Sequence, residues 1–147
     1  MVPFTKMGNI PIQRINFEDI QFAQKNDSLI INTLPSSEQS LLIAKTISWE
    51  KEIKAVEMAI QKKESIFIYG RHSNDETIYL KYEQIRKLGG KVYLYTGGLF
   101  EWLLLQDIYG SSTFPTSTTF KTIDLLKYKP PTLLNTKYLT YSWQEDC

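Results

Sequence analysis

The sequence is poor in the residues that most often announce chemistry. It has one cysteine, Cys147, and one histidine, His72. A single thiol excludes an internal disulfide, a zinc cluster built on cysteines and any CxxC redox pair. Arginine is scarce too, with only Arg14, Arg71 and Arg86, and the formal net charge is +1. No global field therefore draws the chain to nucleic acid or to an anionic membrane. Lys6, Lys25, Lys45, Lys51, Lys54, Lys62 and Lys63 are interleaved with acids, which reads as solvated faces and not as a nucleic-acid footprint. No apolar run approaches the ~20 residues that span a bilayer, and the first residues lack the charged-then-apolar pattern of a secretory signal. The expectation is a soluble intracellular protein without a transmembrane segment, a metal site or a cofactor.

What is present is a core-forming composition in 147 residues, 42% hydrophobic and 22% charged, enough for one domain. Residues 1–9 carry Pro3 and Gly8 without any period and read as a flexible lead-in. Ile10, Ile12 and Ile15 alternate as in a short edge strand. Asn16 caps a helix opening at Phe17, with Glu18 and Asp19 in its first turn. Leu29–Thr33 is a buried strand, and Leu41–Ile43 a second brief extended piece. From Ser48 to about Lys63 the spacing of Trp49, Ile53, Val56 and Ile60 predicts one amphipathic helix capped by Ser48. Ile66–Tyr69 is apolar on both faces, as at the centre of a parallel sheet. Ser73 and Glu76 have capping-box spacing, which places the start of the next helix near Asn74, with Ile78, Tyr82 and Ile85 inward. Gly89-Gly90 ends it, Val92–Tyr95 is a strand, and Phe100–Ile108 an apolar helix. Strands alternating with helices through short links predict an α/β fold, a mostly parallel central sheet flanked by helices.

Residues 111–147 differ in kind. Pro115, Pro130 and Pro131 and a Ser/Thr cluster break regular structure, yet Phe114, Phe120, Tyr138, Tyr141 and Trp143 are too apolar for a solvated tail. This extension is expected either to wrap over its own domain or to dock on a partner, those aromatics being the partner-binding residues.

The run Ser65–Asp75, then Leu88-Gly89-Gly90, Val92–Tyr95, Gly97-Gly98 and Trp102, resembles the second half of a rhodanese-like domain, and the resemblance extends over residues 10–110. The continuation Leu103–Gly110 and Phe114-Pro115-Thr116 resembles a divergent subgroup found in large DNA viruses and protists. The resemblance implies a three-layer fold. It also implies an active-site loop whose backbone N–H groups, with the next helix N-terminus, hold the anions of a persulfide cysteine, or of phosphate in the related phosphatases.

The loop departs from that pattern. The nucleophile position is Gly70, and the place where the family often has a basic residue holds Asp75 with Glu76 beside it. Without a nucleophile neither sulfur transfer nor a phospho-cysteine can form, and two carboxylates repel an incoming anion. Asn32 and Leu34 stand where the family commonly has an Asp-x-Arg pair, and Glu38 falls near a family acid. The degenerate loop thus comprises Gly70, Arg71, His72, Ser73, Asn74 and Asp75, with no catalytic residue assigned. His72 as a general base, Ser73 as a nucleophile and Arg71 as an anion holder are set against plainer roles as a solvated residue, a helix cap and an exposed charge. The principal expectation is an inactive module binding other protein subunits, in a viral particle or another large assembly. An enzyme with altered chemistry at Arg71, His72 and Ser73, sulfurtransferase- or phosphatase-related, is the alternative, and an anion sensor using the emptied cradle a third reading.

Overall fold

The computed structural model describes residues 11–118. Four parallel strands form one sheet: β1 (Arg14–Ile15), β2 (Leu29–Asn32), β3 (Ser65–Tyr69) and β4 (Lys91–Tyr95), in the order β1-β4-β3-β2. The α-helices are α1 (Phe17–Lys25), α2 (Glu52–Lys62), α3 (Thr77–Lys87) and α4 (Gly98–Tyr109). Side chains alternate across the sheet, so β3 sends Ile66 and Ile68 to one layer and Phe67 and Tyr69 to the other. Against the first pack Val56 and Ala59 of α2 and Ile78, Tyr82 and Ile85 of α3; against the second, Ile20 and Ala23 of α1 and Leu99, Trp102 and Leu103 of α4. The result is the expected three-layer α/β arrangement.

Several local readings hold. β1 is an edge strand, and β3 lies between β2 and β4. Asn16 caps α1, its Oδ1 accepting from the N–H groups of Glu18 and Asp19 at 2.9 and 3.3 Å, while Asp19 accepts from the Asn16 N–H. Such a reciprocal cap contributes about 1 kcal/mol. Gly89 takes φ +97 after α3. The Leu41–Ile43 piece contributes an antiparallel bridge from Ile43 to Thr116, and Thr46 adds a parallel bridge to Ile30 at the sheet margin. Tyr69 fixes this margin, its hydroxyl accepting from the Ile43 N–H and bonding the Thr46 hydroxyl at 2.7 Å.

The helix expected from Ser48 is different. Trp49–Lys51 is a 3₁₀ turn, α2 begins only at Glu52, and the Ser48 side chain caps nothing. A turn of three residues instead of 3.6 shifts the phase of the apolar stripe. The buried face is therefore Glu52, Val56 and Ala59, while Trp49 and Ile53 are 61% and 73% exposed.

The chain beyond α4 folds back on the domain as far as it is described. Phe114 is buried between Phe17, Trp102 and Tyr109. Trp102 donates its indole N–H to the Pro115 carbonyl at 2.9 Å, and the Ala44 N–H donates to the same carbonyl. Phe114 thus faces its own core and not a partner, which corrects its assignment as a binding residue. Phe120, Tyr138, Tyr141, Trp143 and Cys147 lie outside the described residues, as do residues 1–9 of the lead-in.

Candidate functional site

The loop Gly70–Asp75 leaves the carboxyl end of β3, at the sheet edge where open α/β sheets hold ligands. Its structure is dominated by Asp75. One carboxylate oxygen, Oδ2, accepts the Arg71 backbone N–H at 2.8 Å. The other, Oδ1, accepts the Thr77 backbone N–H at 3.1 Å and its hydroxyl at 2.6 Å. Asp75 therefore does the capping of α3 that the Ser73–Glu76 spacing predicts for Ser73. Glu76 precedes α3 without a side-chain cap bond, and Ser73 is exposed. Burial works to raise the Asp75 pKa, but the hydrogen bonds from Thr77 and Arg71, with His72 nearby, outweigh it and hold the carboxyl below its ordinary value.

The same carboxylate fills the place the nucleophile would need. A Cβ built on Gly70 would lie 2.6 Å from Asp75 Oδ2 and 2.8 Å from Ile78 Cγ2. Both distances are shorter than any real Cβ tolerates, so the glycine and the aspartate are matched to each other. The space beside Gly70 is occupied by the chain's own carboxylate.

Two further donors of the loop are also turned inward. Asp75 N–H donates to the His72 carbonyl at 3.0 Å, and Asn74 N–H to His72 Nδ1 at 3.1 Å. At the start of α4 the N–H groups of Leu99 and Phe100 donate to the carbonyls of Gly70 and Arg71 at 2.9 and 2.8 Å. This close approach requires glycine at residue 98. Its φ is +72, and a Cβ there would meet the Gly70 oxygen at 2.9 Å. Tyr95 donates its hydroxyl to Glu101 at 2.5 Å. Burial, then that hydrogen bond and the carboxylate charge, push its phenol far above the ordinary range, so it stays protonated.

Of the three side chains that invite an enzymatic reading, Arg71 is committed to Glu38. Nε donates to Oε1 at 3.1 Å and a terminal guanidinium nitrogen to Oε2. That fork-to-carboxylate pairing neutralises the charge an anion would seek. His72 has its pKa lowered, by burial first and by Arg71, with Asp75 acting against them. A neutral imidazole with a weakened basicity results. Asn32 at the end of β2 is buried, its Oδ1 accepting from Leu34 N–H at 2.9 Å and from Gln39 at 2.8 Å, a neutral hydrogen-bond network. The Glu38–Arg71 pair escapes sequence reasoning, although both residues attract notice separately.

No protein-family model matches the sequence, and no curated protein matches it. Among solved structures, the chain is similar to the Alr3790 protein from Anabaena sp. at 16% identity and TM-score 0.53, covering 90% of each chain. A second structure, described as the Rhodanese_3-like domain of that same Anabaena protein, matches 62% of this chain and 99% of its own at 20% identity and TM-score 0.45. The fold is thus rhodanese-like, and the likeness shows the fold alone. Among the described residues no helix is long and apolar enough to cross a membrane.

Proposed function

We propose that the chain is a catalytically inactive rhodanese-like domain that serves as a protein-binding or structural module within a larger assembly. The observation that carries this reading is the Asp75 carboxylate, seated where a side chain at Gly70 would have to go and holding the Arg71 N–H. The Arg71 N–H is committed to the loop's own carboxylate and so is closed to thiosulfate or phosphate, and Gly70 offers no nucleophile. Gly98, the caps and the buried strands support a well-packed scaffold around that loop. Such a domain is available for recognition by its surface.

The thiosulfate–cyanide assay tests the inactive half of the reading. The parent chain is expected to form no thiocyanate, and Gly70→Cys alone to remain inactive because its Cβ meets Asp75. Turnover by the parent chain refutes inactivity and restores the alternative of altered chemistry at Arg71, His72 and Ser73. The module half is tested by purifying the protein from its native source under mild conditions after crosslinking. A defined protein complex is expected, and a chain found only as a free monomer defeats it.

A further inference from the structure

A second crevice lies beside the loop, between the 3₁₀ turn that opens α2 on one side and α3 on the other, over the carboxyl end of β2. It is a shallow cleft of about 260 Å³, below the roughly 300–1,000 Å³ of drug-sized ligand sites and so suited only to a small ring partly left in solvent. Trp49 from the turn and Leu80 from α3 line it, and both are left open to solvent, 61% and 70% exposed. Lys81 Nζ and Glu52 Oε2, 2.5 Å apart, form an ion pair within it, with Glu52 buried. The pair joins α2 to α3 and so fixes the two sides relative to each other. Polar lining comes from the Thr33 and Thr77 hydroxyls, hydrogen-bonded to each other at 2.7 Å, and from the Gln84 carboxamide. The Thr77 hydroxyl proton goes to Asp75 Oδ1 and the Thr33 proton to Thr77, so the hydroxyls offer acceptor lone pairs while the carboxamide carries both donors and an acceptor.

We propose that this cleft binds a neutral, planar heteroaromatic compound of nucleobase or nucleoside size. An exposed indole offers a flat π-face for stacking, and the Leu80 side chain a second apolar surface. The polar lining suits the edge of such a ring, which carries both donors and acceptors. Charge selects against a phosphorylated form. Lys81 is already neutralised by Glu52, and Thr77 leads directly to the ionised Asp75, whose Oδ1 lies 2.6 Å from its hydroxyl. This site is separate from the closed loop, and its occupancy does not depend on whether that loop is inactive.

The test is nuclear magnetic resonance titration of the full ¹⁵N-labelled chain with adenosine, uridine and adenosine monophosphate. At least one nucleoside is expected to give saturable shifts at Asn32–Leu34, Trp49–Glu52 and Thr77–Gln84, with the monophosphate weaker than adenosine. Trp49→Ala is expected to weaken binding by about 5- to 100-fold, the range for losing one base-stacking partner. Leu80→Asp, at another exposed position, weakens it as well, and an otherwise unchanged spectrum shows that each variant is folded. Absence of saturable shifts with both nucleosides, shifts confined to another face, tighter binding of the monophosphate, or affinity untouched by both substitutions overturns the proposal.

Discussion

The two crevices at the carboxyl edge of this sheet are opposites. In the loop after β3 the polar groups point inward: Asp75 takes the Arg71 and Thr77 N–H groups, Glu38 takes the Arg71 guanidinium, and the first donors of α4 go to loop carbonyls. In the cleft beside β2, Trp49 and Leu80 face water with nothing laid over them by the described residues. The first has exchanged availability for stability, since a satisfied buried donor resists being opened. The second keeps its apolar groups uncovered at a cost in solvation. One loop at this sheet edge is therefore closed from within by the chain's own carboxylate while a neighbouring surface remains open.

The contrast predicts that substitutions in the loop are costly and those in the cleft are not. The largest effect is expected at Gly98→Ala. The positive φ and the 2.9–3.0 Å approach of its Cβ to the Gly70, Arg71 and His72 backbone together cost roughly 2–4 kcal/mol. Urea unfolding measures this as a lowered midpoint. A midpoint unchanged from the parent would mean that the loop is not held by α4 at all.

Gly70→Ala comes next, at about 1–3 kcal/mol, because Ile78 and the Asp75 carboxylate must both shift. Removing the carboxylate relieves part of that clash. In a double-mutant cycle with Asp75→Ala the combined loss is expected to be smaller than the sum by about 0.5–3 kcal/mol. Strict additivity breaks the claim that these two residues are matched.

Much of this architecture is legible in the chain itself because its signals are local. The strand Ile66–Tyr69, the Asn16 cap and the glycine pair after α3 are each decided by a few neighbouring residues. The glycine at the end of β3 is equally plain, since identity at Gly70 is all it requires. Two things are not legible. The capping-box spacing of Ser73 and Glu76 points to the wrong residue, because the loop turns so that Asp75 reaches back to Arg71, a choice set by its packing against Gly70 and Ile78. The Trp49–Ile60 stripe misleads for a different reason. A three-residue turn precedes the helix, and the buried position falls to Glu52, which no hydrophobic pattern selects because its burial depends on Lys81 from another helix. Charge partners distant in sequence, Glu38 with Arg71 and Glu52 with Lys81, are a product of topology.

A smaller effect follows from the titration of Asp75. Its folded pKa is depressed below the ordinary 3.8, so in acid the unfolded chain binds the proton first. The hydrogen-bonded carboxylate therefore contributes stability that is fully present above about pH 4 and is lost as pH falls through the folded value. Chemical unfolding of the parent and of Asp75→Asn, compared at neutral pH and near pH 3, isolates this contribution. The gap between the two proteins is expected to narrow in acid. A gap that stays constant would show that the side chain acts by shape and not by charge.

The smallest effect belongs to the cleft. Trp49→Gln removes a large aromatic ring, which in a core costs several kcal/mol, yet here the ring is mostly in water. Stability is expected to change by no more than about 0.5 kcal/mol, the range for a surface position without special contacts. A loss as large as that of Gly70→Ala would mean that the indole is a structural element of the α2–α3 contact, and the open crevice would then be a part of the core. An unchanged midpoint leaves the exposed tryptophan without a role in folding. That is the condition under which a ligand, and not the domain's own stability, accounts for an aromatic side chain kept at the mouth of a polar cleft.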